Sequence, residues 1–255
     1  MNKKILLFAA VFMTAAAILT GCGSQQEQKT AKDTLVIGME PTFPPFEFTE
    51  GDTYVGFDID YSKALSGMMG KKAEIKSLGF DALIPALQSG QIDMIASGMD
   101  ATPERKEQVN FTDIYFKGGY TVVVKKDNTT INGFDDLAGK TVGAQVGTKG
   151  VDYAQEHGAV VKQFDQNTQG WMELEAGTCD AVVIDNAVAM YYLQQGGSKE
   201  LKMVGEPIIS TGMSLAVSKD DPQLLEKVNN AMAELKSDGT YAELYKKWFG
   251  TEPKI

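Results

Sequence analysis

Two stretches of this chain repeat one another, and the repeat limits the fold more than any other feature. Leu87-Gln88-Ser89-Gly90-Gln91-Ile92-Asp93 runs into Met94-Ile95-Ala96-Ser97, and Leu174-Glu175-Ala176-Gly177-Thr178-Cys179-Asp180 runs into Ala181-Val182-Val183-Ile184. Each copy reads as the end of a helix, a glycine that stops it, an aspartate and a buried strand. Two such units imply two similar α/β lobes, and they place Gly98 and Asp185 just past the carboxyl ends of corresponding strands. In open α/β sheets that edge is where ligands bind, and a cleft between two such edges is a favoured small-molecule site.

The surrounding pattern agrees with an α/β chain. Residues 34–38 (TLVIG) and 73–78 read as strands, 56–69 and 81–88 as helices, and 92–97 as a strand. Thr102 is a fair N-cap with Pro103 at the first helical position, so Arg105 falls in the first turn. In the second half, residues 140–144 form a strand, a turn follows, a helix starts at Val151, and 160–164 form another strand. The apolar runs 121–125 (TVVVK) and 214–217 (SLAV) are expected to be the two crossings between lobes. That divides the chain into residues 34–119 and 215–255 for lobe 1 and 120–214 for lobe 2. Near the end, Tyr241, Leu244, Tyr245 and Trp248 fall at i, i+3, i+4, i+7, a core-packing stripe.

The first 21 residues carry Lys3 and Lys4 and then an uncharged stretch too short to span a bilayer comfortably, the pattern of a cleaved leader. Leu19-Thr20-Gly21-Cys22 resembles a lipobox, which makes Cys22 the expected site of acylation and of attachment to the outer face of the cell membrane. Residues 22–33 are polar and read as a flexible tether. The whole chain has 24 Lys and Arg against 34 Asp and Glu, a net charge of −10, and loss of the leader makes it more acidic. Nucleic acid is therefore excluded as a partner, as are anionic headgroups for the folded body. With Cys22 used for lipid, Cys179 has no thiol to pair with and suits a buried filler.

No catalytic set, cofactor motif or metal-binding spacing stands out. One histidine, His157, sits before Gly158 at an expected helix end, and two cysteines with one histidine cannot build an ordinary zinc site. Asp58 and Asp60, at the start of a helix, are expected to serve capping and the macrodipole. Gly143, Gly147 and Gly150 lack dinucleotide spacing but would leave backbone N–H groups for a polar ligand group. Arg105 and Asp185 are the strongest candidates: a guanidinium fork matches a carboxylate, an aspartate accepts from an ammonium, and together they fit an amino acid zwitterion. The alternatives are a surface arginine and an aspartate that caps the following helix.

Residues 36–48 (VIGMEPTFPPFEF), 56–60 (GFDID), 97–105 (SGMDATPER), 111–113 (FTD), 180–185 (DAVVID) and 239–253 (GTYAELYKKWFGTEP) carry a resemblance over nearly all of the chain after the leader. It is to the amino-acid-binding family of extracellular solute-binding proteins of ABC importers, with glutamine binders nearest. The resemblance implies a monomeric, two-lobed periplasmic-binding-protein-like type II fold that closes on an L-amino acid and docks on a membrane permease, with no enzymatic activity. It implies that Arg105 holds the α-carboxylate, that Asp185 and the Gly98 carbonyl hold the α-ammonium, and that Phe43 and Phe80 sandwich the aliphatic part. Ser97 and Asp100 belong to the same motif, Asp100 with its carboxylate turned away. Glu40 and Gln145 stand where side-chain-reading residues occur, and Thr148 and Lys149 lie in the lobe 2 turn. Glutamine is the first ligand expected. Glu40 by charge would favour arginine, lysine or histidine. The rival class is a cyclohexadienyl dehydratase-like enzyme, with Glu40, Glu173 or Glu175 as the only candidate general acids.

Overall fold

A computed structural model describes residues 33–253. The leader, most of the tether and the Cys22 expectation fall outside those residues. The chain enters with β1 (Thr34–Met39), a small sheet of β2 (Thr42–Phe43), β3 (Glu47–Glu50) and β4 (Thr53–Val55), then α1 (Phe57–Met68) and β5 (Lys72–Ser77). A 3-10 turn leads into α2 (Leu83–Gln88), followed by β6 (Met94–Ile95), α3 (Pro103–Gln108) and β7 (Asn110–Phe116). The second part comprises β8 (Gly119–Lys125), β9 (Thr141–Gln145), α4 (Lys149–Glu156), β10 (Val160–Phe164), α5 (Asn167–Ala176), β11 (Ala181–Asp185), α6 (Asn186–Gln194) and β12 (Leu201–Ile209). The chain ends with β13 (Met213–Val217), α7 (Pro222–Ser237) and α8 (Thr240–Phe249). No helix among the described residues is long and apolar enough to cross a membrane.

The two large sheets share one plan. Their strand orders are β5-β1-β6-β13-β7 and β10-β9-β11-β8-β12, with the first three strands of each parallel and the fourth antiparallel to the third. The repeat of the sequence thus becomes a repeat of structure: β6 and β11 hold the third place in their sheets, each preceded by a helix stopped at a left-handed glycine, Gly90 or Gly177. The repeated aspartate has the same task in both. Asp93 accepts the Val36 N–H at 2.9 Å and Asp180 accepts the Thr141 N–H at 2.8 Å, while the backbone N–H of each donates to the same partner's carbonyl. A side chain thereby pins the start of the neighbouring parallel strand.

The expected crossings are corrected by this topology. Residues 121–125 lie inside the second sheet and 214–217 inside the first; both are buried central strands, which is why they read as apolar runs. The chain changes sheet between Phe116 and Gly119 and returns between Ile209 and Met213. The strand expected over 92–97 has only Met94–Ile95 in ladder geometry, and the helix expected from Val151 starts two residues earlier, at Lys149. His157 is the C-cap of α4, and Cys179 is buried, both as expected.

The aromatic stripe of α8 packs on α1. Tyr241 meets Phe57 edge to face with ring centroids 5.9 Å apart, and its hydroxyl donates to the Tyr115 carbonyl at 2.5 Å. Asp60 accepts from Trp248 Nε1 at 2.9 Å and from Lys247 Nζ at 2.6 Å, so it ties α8 to α1 instead of capping. Asp58 does not cap either. The N-cap is Gly56, which makes no side-chain bond, and the Asp58 carboxyl is turned inward and fully buried. Gly56 has φ +131, and a Cβ there would lie 2.1 Å from the Phe46 carbonyl oxygen, which accepts the Asp58 N–H. Gly51 also has positive φ, at +57, but open space around it. Gly56→Ala is therefore expected to lower stability by roughly 2–4 kcal/mol and Gly51→Ala by about 1 kcal/mol, read from urea unfolding midpoints.

Candidate functional site

The carboxyl ends of β6 and β11 converge on a cavity of about 360 Å³, measured with its open mouth. Among its wall residues are Glu40, Phe43, Phe80, Ser97 and Gly98 from the first sheet's side, and Gln145, Thr148 and Asp185 from the second. All eight were singled out in the sequence. Glu47, Tyr120 and Asn167, also on the wall, were not, and Val183 and Ile184 complete it.

Local structure explains these placements. β1 ends at Met39, so Glu40 leaves the sheet at its carboxyl edge, where its N–H donates to Ser97 Oγ at 2.9 Å. Gly98 turns the chain past β6 with φ +53, and a Cβ there would sit 2.6 Å from the Phe43 ring, so only glycine lets the backbone pass the aromatic. Asp185 ends β11 and caps α6, its Oδ1 accepting the Ala187 N–H at 2.8 Å. The capping alternative is thus real, yet it occupies one oxygen; Oδ2 has no partner. Burial pushes the Asp185 carboxyl up to about 7, and the neighbouring Asp100 charge adds to this.

Three residues sit off the wall. Arg105 lies at its edge, the guanidinium 5.3 Å from the centre of the Phe80 ring, with Nη1 donating to the Asp100 carbonyl at 2.8 Å and Nη2 to the Gly147 carbonyl at 2.9 Å. Of five guanidinium donors, the rest remain for a ligand. Asp100 turns its carboxylate to Tyr120, whose hydroxyl donates to it at 3.1 Å. Lys149 points along α4 to Asp152 at 2.7 Å, so it does not join the wall. The glycine turn is also less open than expected: Gly143 belongs to β9, Gly150 to α4, and Thr148 Oγ1 donates to the Gln145 carbonyl instead of capping.

Gln145 is a cross-link. Its Nε2 donates to Glu40 Oε2 at 3.1 Å and to the Asp165 carbonyl at 3.0 Å, and its Oε1 accepts from Asn167 Nδ2 at 2.8 Å. Both amide hydrogens are used, so Gln145 orients Glu40 across the cleft. Glu40 also accepts from Thr42 Oγ1, and burial raises its pKa. Glu47 is wholly buried, accepts from Ser97 Oγ at 2.7 Å, and is held well above the usual range by burial and by the charge of Asp58. The wall therefore carries three carboxyl side chains and no lysine or arginine, with one guanidinium at its edge. Such a cavity can hold a compact ligand with one anionic group and one or more cationic groups. The dehydratase candidates Glu173 and Glu175 lie away from it, paired with Lys162 and Tyr192.

The family model of bacterial extracellular solute-binding proteins, family 3, matches residues 35–251. The arginine-binding extracellular protein ArtP of Bacillus subtilis (strain 168) is 35% identical over 257 residues, covering 99% of this chain and 100% of that protein. Structures of an ancestral arginine-binding protein, one bound to glutamine and one to arginine, superpose with a TM-score of 0.83 at 46% identity, covering 86% of this chain and 99% of theirs. The ancestral amino acid-binding protein AncCDT-1, a precursor of cyclohexadienyl dehydratase, superposes with a TM-score of 0.80 at 39% identity, covering 85% and 96%. With two lobes of shared topology, a cleft between their strand ends and a family match spanning almost every described residue, the chain belongs to the bacterial extracellular solute-binding proteins of family 3.

Proposed function

We propose that this protein binds a cationic L-amino acid, arginine first, and delivers it to the membrane permease of an ABC importer without transforming it. The observation that carries the reading is the pair of wall carboxyls, Glu40 and Asp185, facing the edge guanidinium of Arg105. The α-carboxylate takes the free donors of Arg105, the α-ammonium takes Asp185 Oδ2 and the Gly98 carbonyl, and the side-chain cation takes Glu40. Phe43 and Phe80 cover the aliphatic stem. The arginine-binding relatives support the choice. Glutamine is the second reading, supported by the glutamine-bound ancestral structure. The enzyme alternative finds little support, because Glu40 is tied by Thr42 and Gln145 and the other candidate acids lie off the wall. Cys22 is proposed to carry the lipid that holds the protein at the outer face of the membrane, and Cys22→Ser is expected to release it into the medium, read by fractionation.

Isothermal titration of protein unfolded and refolded to strip carried-over ligand tests the ligand. Arginine is expected to bind tightest. Arg105→Ala and Asp185→Ala should each cost a hundredfold or more, since each leaves a ligand charge buried without its partner. Glu40→Gln should weaken arginine at least tenfold and glutamine much less. Tighter binding of glutamine than arginine by wild type would sink the cationic reading.

Binding should also depend on pH through Asp185. Its pKa is raised to about 7 in the folded protein, so this carboxyl favours folding most below the ordinary aspartate value, and that stability is lost as pH rises through about 7. The ammonium needs the ionised form, so affinity changes the opposite way. The dissociation constant for arginine should rise by up to about tenfold per pH unit below pH 7, with a proton released on binding, and calorimetry in buffers of different ionisation enthalpy measures that proton.

A further inference from the structure

Glu47 on the cavity wall and Asp58 behind it form a pair of carboxyls that the proposed ligand contacts do not use. Glu47 and Asp58 are both 0% exposed, and neither has a lysine, arginine or histidine partner among the described residues. Their bonds form a chain. The Glu40 N–H donates to Ser97 Oγ at 2.9 Å, and the Ser97 hydroxyl donates to Glu47 Oε1 at 2.7 Å. At the other end, the Gly98 N–H at 3.0 Å and the Tyr115 hydroxyl at 2.7 Å both donate to Asp58 Oδ2. The two carboxyls lie within hydrogen-bonding reach of each other, and the oxygens left without a donor are Glu47 Oε2 and Asp58 Oδ1.

Two carboxylates cannot hydrogen-bond without a proton between them, and two unscreened negative charges at that separation in a dry interior cannot both persist. We propose that Glu47 and Asp58 share one proton, carried by Glu47, and that this pair is a positioning device which sets the backbones of Gly98 and Glu40 at the ammonium end of the cavity. The proton sits on Glu47 because Asp58 collects two outside donors and Glu47 only one, so Asp58 is the better anion. Burial and nearby charge act the same way: Glu47 faces Asp58 and Glu40 and is raised well above the usual range, whereas Asp58 reaches about 6. The other titratable neighbours of Asp58, Tyr61, Tyr115 and Tyr241, all have raised pKa values and stay neutral. With Glu47 as donor every oxygen of the pair is satisfied. With both ionised, Oε2 and Oδ1 would face each other bare, and the Gly98 turn and the Ser97 link would shift.

The positioning role rests on the amino acid reading of the cavity; the shared proton does not, so the two can fail separately. Infrared spectra of the purified protein at about pH 7, taken in an Asp185→Asn background to remove that titration, should show the carbonyl band of a buried protonated carboxylic acid. Glu47→Gln, whose amide can donate to Asp58 and accept from Ser97, should abolish the band. It should also flatten the fall in melting temperature as pH rises from about 5 to 8, because over that range the folded pair holds a proton that the unfolded chain has already released. In the Asp185-containing protein, Glu47→Ala should weaken binding of arginine tenfold or more, and Glu47→Gln should restore most of that loss. Absence of the band in the parent, its survival in Glu47→Gln, or an unchanged pH profile of melting would overturn the shared proton. Equal damage by the alanine and glutamine substitutions would overturn the positioning role. If arginine does not bind, the infrared and melting results still decide the proton.

Discussion

Taking carboxyl groups out of water is the cost around which this molecule is arranged. Glu40, Glu47, Asp58, Asp100 and Asp185 are each at most 4% exposed, and they cluster where the strands of the two sheets end. No ion pair among the described residues neutralises any of the five. Backbone N–H groups, hydroxyls and one amide hold them, which orients the charge without cancelling it. A binding protein gains from that arrangement what it loses in stability. A ligand with matching cations restores interactions that the folded chain leaves open, such as at Asp185 Oδ2, and its binding free energy adds to the folding free energy.

The same groups couple the two lobes. Gln145 reaches Glu40, Arg105 reaches the Gly147 carbonyl and Tyr120 reaches Asp100, so contacts across the cleft come from the residues that surround the cavity. A ligand that engages Arg105 and Asp185 together adds to one arrangement of the lobes only, which is the condition for a shift of population. The two segments that connect the sheets are short and lie beside the site. A Cβ on Gly118, in the first crossing, would come within 2.9 Å of Asp185 Oδ2, so glycine at this crossing leaves space for that carboxylate.

Much of this was legible in the sequence, for identifiable reasons. The helix-glycine-aspartate-strand repeat was readable because the aspartate clamp and the left-handed glycine are local devices with local signatures. Thr102, Pro103 and Arg105 were readable for the same reason, and the Thr102 hydroxyl does accept the Arg105 N–H. Apolar runs 121–125 and 214–217 were misplaced because a strand buried on both faces and a buried crossing have the same composition. Asp58 was misread because its capping position is a property of the helix, whereas its partners, Gly98 and Tyr115, are tens of residues away. Glu47, Tyr120 and Asn167 had no local signal at all. Each owes its place on the wall to a fold-level contact, although Glu47 stands within the residue 36–48 motif and could have been suspected as an acid among aromatics.

The neutral state of Glu47 also decides what the cavity can select. If all three wall acids were ionised, the site would hold three negative charges against Arg105, and the best complement would be a ligand with three cations and one anion. No ordinary amino acid has that pattern. With the Glu47 proton retained, the wall presents Glu40 and Asp185 as anions and Arg105 as the cation. The complement is then two cationic groups and one carboxylate, the charge set of arginine or lysine. Glutamine in the proposed pose would satisfy Arg105 and Asp185 but leave Glu40 to accept hydrogen bonds from a neutral amide. That is a smaller loss than a bare charge would suffer, since Thr42 and Gln145 already solvate Glu40. Under the proposed cationic reading, tolerance of glutamine beside a preference for arginine would follow from how Glu40 is held, and discrimination between the two would depend on how much of the Glu40 charge its own hydrogen bonds have already absorbed.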